Sequence, residues 1–598
     1  MLAALAALAL AGPASAAAPT APVYDAKGNL VDTPYAPTPE APRLTERTAT
    51  DLFRGHPKVV SWLDRYPADP ETDATFDDTD RTWEVGIWSG DAGQIAKGEV
   101  DDRTGAVTEA WTGPQVAWGM ARGSEGAFGG RTINRAAVWF GFVALFLVGL
   151  IDWRRPLSLR TLDLVALVSF SASLWFFNAG DIFTAMPLAY VPLSYVIARL
   201  AWIGARGRSP RGQVVWPVWV LAAAVVFLAG FRVALNYSDS NVIDVGYSGV
   251  IGAQRIATGQ MPYGHMPVAT GREACGEPDG EGNIRDRIQT NGRCEHANEH
   301  GDTYGPVAYE AYLPGYWLLG WSGDWDDLPA AHFTAVAFDL LTLAGLVLVG
   351  LRFGGRALAA TLAFAWTAYP FTQYVSSANT NDALLPAFLV WGFWLVSRPG
   401  ARGALAALSG WTKFASLIVA PLWATYPDRR PKWRFVGGFL AASLVAFSIL
   451  LLEPNPFEAA RTFGERSLVW QIGRESPFSI WDWGQYHAAG IPDLHLAQVA
   501  LQILLVIGAL VVAFVPRRKS PLQLAALTGA LIAGFELVQT HWFYLYLPWF
   551  FPFAAIAFLA RGTEDSARRR EYGHDRPSEN QAAQGRREHP YPLRYGRD

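Results

Sequence analysis

The stretches VALQILLVIGALVVAFV (499–515) and VWFGFVALFLVGL (138–150) contain no charged residue. An α-helix needs about 20 mostly apolar residues to cross the hydrocarbon core of a bilayer, and these runs are close to that length. Hydrophobic residues make up 51% of the chain and charged residues only 17%. The charges gather in an N-terminal stretch, in short loops and near the C-terminus, a segregation typical of membrane proteins.

Similar runs recur along the chain and predict an all-α, polytopic membrane protein with about a dozen hydrophobic spans. We expect spans near 136–151, 162–177, 184–203, 214–235, 330–351, 357–374, 383–396, 435–452, 496–515, 522–538 and 542–560. The stretch 403–426 is predicted to be a hairpin of two short helices, broken near Trp411, Thr412 and Lys413.

The two ends of the chain differ from the spans. Residues 1–16 form an apolar run that ends in the small-residue pattern Ala14-Ser15-Ala16, which indicates a signal peptide without the usual basic start. The tail at 561–598 is charged and poor in apolar residues, so we expect it to be disordered and cytoplasmic. The net charge of −4 gives no indication of a nucleic-acid partner.

Residues 17–130 are polar, acidic and rich in Pro and Asp, and they predict a small extracytoplasmic α+β domain. Trp83, Val85 and Ile87 alternate as in a strand, a turn is expected at 102–105, and Val107 begins a second alternating run. The segment 83–111 resembles a PepSY-type domain, whose strands carry similar W-x-V and V-D-x-x-T-G-x-V patterns. A plain hairpin in an accessory domain is the alternative.

The orientation follows from the positive-inside rule. With the N-terminal domain outside, every loop that should be cytoplasmic is basic, including those with Arg154, Arg430 and Arg517. This assignment leaves two long external loops, at 236–329 and 453–493, which hold most of the unusual polar residues. Any chemistry is therefore expected in these loops.

The first external loop begins with NYSDSNVIDVGYSGVIGAQRIATGQMPYG (236–264), directly after a span. Asp244 is followed there by a predicted short helix and a G-x-x-P-Y turn at 259–263. Further along the chain come T-Y-G-P at 303–306, N-T-N-D at 379–382, W-T-K-F at 411–414 and H-W-F-Y-L-Y-L-P at 541–548. In order and sidedness these motifs resemble the GT-C superfamily of membrane glycosyltransferases, especially the bacterial polyprenyl-phosphate-mannose-dependent mannosyltransferase-like branch.

The resemblance covers residues 213–560, and residues 131–212 would then form three additional transmembrane helices. It implies a GT-C-like helical bundle with external loops, placed in a bacterial plasma membrane. The donor would be a polyprenyl-phosphate sugar, the acceptor a lipid or cell-envelope glycan, and membrane lipids further partners. We expect no cofactor, because cationic side chains can hold the single phosphate that leaves.

Asp244 is the candidate catalytic base. Transfer to a hydroxyl needs a group that takes its proton, and a carboxylate held at the membrane surface can serve. Asp239 is the competing carboxylate, and a helix N-cap is the alternative role for Asp244.

Four cations are candidates for binding phosphate or glycan: Lys413, His541, Arg474 and Arg466. Lys413 interrupts an apolar hairpin, where an ionisable residue is costly, and its alternative role is snorkelling towards the headgroups. An aromatic-belt position is the alternative for His541. The resemblance adds Tyr263, Tyr304 and Asp382 as substrate-binding residues.

Cys275 and Cys294 are the only two cysteines, and both fall in the first external loop. A lone pair outside the cytoplasm predicts a disulfide. His296, His300 and Asp302 follow, but their spacing matches no metal-site template, so we predict no metal.

A transporter or flippase of a lipid-linked sugar is the alternative function class. A transporter is expected to carry ionisable residues deep in several spans and internal repeats. No repeat is obvious, and the polar residues gather in the external loops. The sequence therefore favours an enzyme.

The predicted topology can be tested by cysteine labelling of intact cells, after both native cysteines are replaced. An impermeant reagent is expected to modify Gly264→Cys, in the first external loop, and to leave Arg430→Cys, in a basic inner loop, unmodified. Labelling of Arg430→Cys without labelling of Gly264→Cys would invert the topology.

Overall fold

The computed structural model describes residues 41–123, 129–209, 212, 214–267, 300–323 and 327–560, Lys27, and the backbone of four short strands. The predicted signal peptide, the predicted tail and Cys275 lie outside these residues, and only the backbone of Cys294 is described. The disulfide therefore stays a prediction. The chain forms two compact units, Met1–Val116 and Ala117–Asp598, so the first unit ends before the expected boundary at residue 130.

The first unit is a small α+β domain, as the alternating pattern predicts. Its elements are β1 (Val23–Tyr24), β2 (Leu30–Asp32), α1 (Glu46–Arg54), α2 (Pro57–Leu63), β3 (Glu71–Asp77), β4 (Thr82–Trp88), β5 (Gln94–Asp101) and β6 (Val107–Thr112). Strands β3 to β6 form an antiparallel sheet in sequence order. Trp83, Val85 and Ile87 are buried on one face of β4, and Phe53 of α1 lies against Gly98 of β5.

A buried carboxylate connects the sheet of this unit to the segment before α1. Asp102 accepts the backbone N–H groups of Arg43 at 2.9 Å and Leu44 at 2.8 Å, and the indole N–H of Trp83 at 3.1 Å. It also pairs with Arg81 at 2.8 Å. Burial by itself raises the pKa of Asp102, but these hydrogen bonds and the arginine together lower it below its ordinary value.

The second unit is helical. After α3 (Pro114–Ala117) at the boundary, its elements are α4 (Arg131–Asn134), α5 (Ala136–Leu150), α6 (Leu159–Asn178), α7 (Ile182–Arg206), α8 (Val218–Ser238), α9 (Asp244–Ala257), β7 (Arg287–Ile288), β8 (Cys294–Glu295), α10 (Val307–Glu310), α11 (Leu313–Leu319), α12 (Pro329–Ala368), α13 (Pro370–Ala378), α14 (Leu384–Trp394), α15 (Pro399–Gly410), α16 (Ala420–Ala424), α17 (Trp433–Ala446), α18 (Pro456–Phe463), α19 (Trp470–Gly473), α20 (His495–Phe514), α21 (Pro521–Val538) and α22 (Leu547–Leu559).

Seven helices in the described part of the chain are long and apolar enough to cross a membrane: α6, α7, α8, α12, α17 with its extension to Leu452, α20 and α21. This confirms a helical membrane protein. Three shorter apolar helices, Ala136–Leu150, Phe414–Ala424 and Tyr544–Leu559, fall within other predicted spans or the predicted hairpin.

Several predicted spans are shorter or differently divided in the structure. Helix α12 joins two of them across a kink at Gly355, whose φ of 70° suits glycine. The predicted span at 383–396 is α14, with 11 residues, and the one at 542–560 contains α22, with 13 residues, all buried. A helix that is apolar all round packs inside the protein, so it need not match the full thickness of the bilayer.

The predicted hairpin at 403–426 is confirmed. Helix α15 ends at Gly410, and a 3₁₀ turn, Phe414–Val419, continues into α16. The break falls at Trp411, Thr412 and Lys413, as expected.

A buried ion pair connects α8 to α12. Arg232 Nη1 lies 2.5 Å from Asp339 Oδ1, and the two side chains are 1% and 5% exposed. Arg232 Nη2 also donates to the backbone oxygen of Trp366 at 3.1 Å and to Thr372 Oγ1 at 3.0 Å. The indole N–H of Trp366 donates to the same Asp339 oxygen at 2.9 Å. The charge at Arg232, unusual within a span, is thus paired and hydrogen-bonded.

Replacing only one member of this pair is expected to destabilise the membrane unit. Asp339→Leu leaves the Arg232 charge buried without its partner, which typically costs about 3–5 kcal/mol, whereas Arg232→Met/Asp339→Leu removes both charges and should recover much of the loss. Thermal unfolding in detergent measures the difference. Arg461→Met, which removes the exposed pair with Glu465, is the control and should cost less than about 1 kcal/mol. A single variant as stable as the parent protein would contradict this role.

Candidate functional site

Four segments outside the long helices meet in the second unit. They are the turn at 303–306, the corner at 379–382, the hairpin break at 411–413 and the turn at 539–543. A non-helical backbone at membrane depth is tolerated only where protein or a polar cavity satisfies its N–H and C=O groups. Each of these segments has such partners, and together they surround one site.

The turn at 303–306 packs directly on the hairpin break. A Cβ at Gly305 would lie 2.0 Å from the backbone oxygen of Trp411, so no larger residue fits at this approach. The N–H of Val307 donates to the same Trp411 oxygen at 3.1 Å. This contact places the ring of Tyr304 next to Lys413, with 5.1 Å between the ring centroid and Lys413 Nζ.

The corner at 379–382 fixes the segment that leads to Asp244. Asn379 has a φ of 52°, a conformation that asparagine tolerates better than most residues. Its amide nitrogen donates to Ser240 Oγ at 2.9 Å and to the backbone oxygen of Asn241 at 2.8 Å. A Cβ at Gly246 would lie 2.3 Å from the Asn379 backbone oxygen, so the first turn of α9 lies directly on this corner.

Lys413 forms a buried ion pair inside an aromatic cage. Its Nζ lies 2.6 Å from Asp382 Oδ1, and the two side chains are 8% and 1% exposed. Trp549 donates its indole N–H to the same oxygen at 3.0 Å. The rings of Tyr304, Tyr546 and Trp549 have their centroids 5.1, 5.1 and 5.2 Å from Nζ. Lys413 is therefore held within the protein and does not snorkel.

Beside this cage lies a cavity of about 720 Å³, a size suited to a small ligand or a lipid headgroup. Lys413, Arg474 and His541 give one part of its wall cationic or hydrogen-bonding character. Apolar residues form another part of the wall: Phe414, Ala415, Ile418, Val499, Leu505, Val506, Phe535 and Val538. The cavity thus combines a polar region with a wall that suits hydrocarbon.

His541 is an uncharged hydrogen-bonding group. Burial first, and then the nearby charges of Arg474 and Lys413, lower the pKa of its imidazole well below the ordinary value. Its Nδ1 lies 2.9 Å from Ser476 Oγ, which also accepts the N–H of Phe478 at 3.2 Å. The neutral imidazole has one nitrogen that donates a hydrogen bond and one that accepts.

The cavity wall includes four of the predicted site residues: Lys413, His541, Arg474 and Tyr304. Burial, and next the Asp244 carboxylate, raise the pKa of the Tyr304 phenol well above its ordinary value. Tyr304 therefore stays protonated at neutral pH and can donate a hydrogen bond. The Arg474 guanidinium lies over the ring of Trp470, 4.9 Å from its centroid.

The other three predicted binding residues do not line the cavity but contact residues in or next to its wall. Asp382 lies behind Lys413, as described above. Tyr263 is fully buried and donates its hydroxyl to the Tyr304 backbone oxygen at 3.0 Å. Arg466 pairs with the fully buried Asp302 at 2.7 Å. These residues position the site and do not line its cavity.

Asp244 is half-buried in the first turn of α9 and is not part of the cavity wall as described. Its Oδ1 accepts the N–H of Val245 at 2.8 Å, and its charge influences Tyr304 across the edge of the site. Asp239, the competing carboxylate, accepts the N–H of Thr132 at 2.8 Å and so stabilises a helix start. The geometry gives Asp239 a structural role and leaves Asp244 as the carboxylate nearer the site.

The predicted site residues do not include Tyr546 and Trp549 of the aromatic cage or the amides that line the cavity, Gln471, Gln498, Gln502 and Gln539. Gln498 and Gln502 could have been noticed in the sequence, because a polar side chain is unusual in or beside the apolar run of α20. Trp481 and Trp483, which do not line the cavity, are buried and donate to backbone oxygens.

Comparison with known protein families, with curated proteins and with solved structures finds no significant match to this chain. We therefore infer the function from the residues of the site and their geometry.

Lys413 is expected to bind an anionic group in the cavity. Lys413→Ala should weaken binding of a polyprenyl monophosphate by about 10–100-fold, the usual range for a lost charge-assisted hydrogen bond, and Lys413→Arg should weaken it less. Binding can be measured by native mass spectrometry of the purified protein. Asp382→Asn is the control for disruption of the ion pair, because it keeps the cation. Full affinity in both Lys413 variants would exclude a contact with phosphate.

Proposed function

We propose that this chain is a membrane glycosyltransferase of the GT-C type, which transfers a mannose-like sugar from a polyprenyl-phosphate donor to a lipid or cell-envelope glycan on the extracytoplasmic face of a bacterial plasma membrane. The observation that carries the proposal is the cavity, whose lining combines Lys413 and Arg474 with a set of apolar side chains. A polyprenyl phosphate needs cationic groups for its phosphate and apolar side chains for its hydrocarbon chain.

The phosphate would lie near the cationic end. Arg474 and Lys413 supply positive charge, protonated Tyr304 supplies a hydrogen-bond donor, and neutral His541 supplies a further hydrogen-bonding group. Such groups stabilise the negative charge that grows on a leaving phosphate, and they do so strongly where water is largely excluded.

The polyprenyl chain would lie along α20 and the hairpin. Val506 of α20 lines the cavity and is 53% exposed, and Ile503, beside it on the same helix, is 55% exposed. A lipid-linked donor would approach the site along this apolar side of α20.

Asp244 would act as the base, because it is the carboxylate close to Tyr304 of the aromatic cage. The acceptor oxygen forms a bond to the anomeric carbon, the bond from that carbon to the phosphate oxygen breaks, and the phosphate leaves with the electron pair. The acceptor proton moves to the Asp244 carboxylate. Its place at the start of α9, next to Tyr304, supports this role.

A transporter or flippase of a lipid-linked sugar is the second candidate. One observation favours it: Gln498 and Gln502 extend the polar lining of the cavity into the span α20. A transporter binds and moves the lipid without consuming it, whereas an enzyme consumes it.

The test is to incubate the purified protein with a panel of polyprenyl-phosphate sugars and a cell-envelope lipid extract, and to follow loss of donor and release of polyprenyl phosphate. Donor loss that needs the acceptor extract supports transfer. Binding without consumption, combined with movement across vesicles, would support the transporter.

Asp244→Asn is expected to lower turnover by about 10²–10⁴-fold, the range typical of general base catalysis. The amide keeps the size and most hydrogen bonds of the carboxylate, so folding and donor binding should change little. Asp239→Asn is the matched control, and its effect on turnover should be much milder. Near-normal transfer by a folded Asp244→Asn protein would rule out this base, and a strong defect at Asp239 alone would move the role there.

A further inference from the structure

One face of α20 changes from polar to apolar along the cavity. His495, Gln498, Gln502 and Leu505 are three or four residues apart, so they share one side of the helix, and all four line the cavity. From Gln498 to Leu505 the helix rises about 10 Å at 1.5 Å per residue. Gln498 and Gln502 therefore lie between His495 and the apolar Leu505 along the cavity.

The amide nitrogens of this stripe bind the protein itself. Gln498 Nε2 donates to the Val538 backbone oxygen at 3.0 Å and to Thr540 Oγ1 at 2.9 Å, and Gln502 Nε2 donates to the same Val538 oxygen at 3.2 Å. Within the part of the chain that the structure describes, the Oε1 atoms of Gln498 and Gln502 have no further partner. Two oriented acceptors are thus left in the cavity wall.

Gln539 supplies the complementary group. It lines the same cavity, and its Nε2 is buried without a hydrogen-bond partner among the described residues. A buried donor without a partner is destabilising, so a rotation of the Gln539 side chain that brings the donor to a ligand hydroxyl gains binding energy. The cavity therefore presents uncharged acceptors and an uncharged donor together.

We propose that Gln498, Gln502 and Gln539 bind the hydroxyl groups of a neutral sugar, while Lys413 and Arg474 hold the phosphate to which it is attached. A hydroxyl both donates and accepts, so it matches this mixture of amide groups. A sugar carboxylate would meet the two amide oxygens and the carboxylates of Glu475 and Asp482, which also line the cavity. This inference rests on the proposed function and adds the residues that bind the sugar of the donor.

The test compares two probes of equal chain length, a polyprenyl phosphate and the same lipid phosphate carrying mannose, with binding measured by native mass spectrometry. Gln502→Leu and Gln539→Leu should each lower affinity for the mannose-bearing probe by about tenfold and leave the bare phosphate unchanged, because each removes hydrogen bonds to the sugar alone. Gln502 is exposed on the span, so leucine is well tolerated there. Leu504→Ile is the matched control, because Leu504 lies on the opposite side of α20 from the cavity and is exposed, and it should affect neither probe.

A probe carrying glucuronic acid in place of mannose should bind the parent protein more weakly than the mannose probe. Equal losses for both probes in the glutamine variants, or no loss for either, would overturn the sugar subsite while leaving lipid-phosphate binding intact. Failure of the parent protein to bind either probe would overturn both proposals. Glutamine-dependent binding without donor consumption would keep the subsite and exclude the transferase.

Discussion

The ion pair between Lys413 and Asp382 is the contact on which the site depends. Two charges buried this deeply are costly unless each has a close partner, and here the 2.6 Å contact, the indole N–H of Trp549 and the surrounding rings provide it. The pair joins the hairpin break to the corner at 379–382. Because loss of either partner leaves the other charge buried, the two segments are held in one arrangement.

Breaks in the helices are stabilised here by protein groups that approach or bind the non-helical backbone. Gly305 permits the turn to approach the Trp411 oxygen, and Asn379 adopts a positive φ while its side chain holds the segment before Asp244. Continuous helices through these positions would satisfy the backbone equally well, but they would leave no cavity. The breaks thus place polar side chains from distant parts of the chain beside one another within an apolar bundle.

The cavity separates three kinds of chemistry along its wall. Arg474, Lys413, Glu475 and Asp482 provide charge, the glutamines provide neutral hydrogen bonding, and α20 with the hairpin provides an apolar surface. Neutral His541 belongs functionally with the hydrogen-bonding groups, because burial and the two nearby cations remove its charge. This division corresponds to the phosphate, sugar and hydrocarbon parts of one lipid-linked sugar, which is why we favour such a donor over a soluble one.

The sequence by itself determined the membrane class, the hairpin with its break and the alternating strands of the N-terminal domain, because hydrophobic periodicity and length are local properties. It could not separate Arg474 from Arg466, which lie in one short segment yet respectively line the cavity and pair with Asp302. Nor could it show that Asp382 is the partner of Lys413, or that glutamines within an apolar run face a cavity. Only the tertiary structure decided these, since the direction of a polar side chain in a bundle depends on which distant residues share its burial.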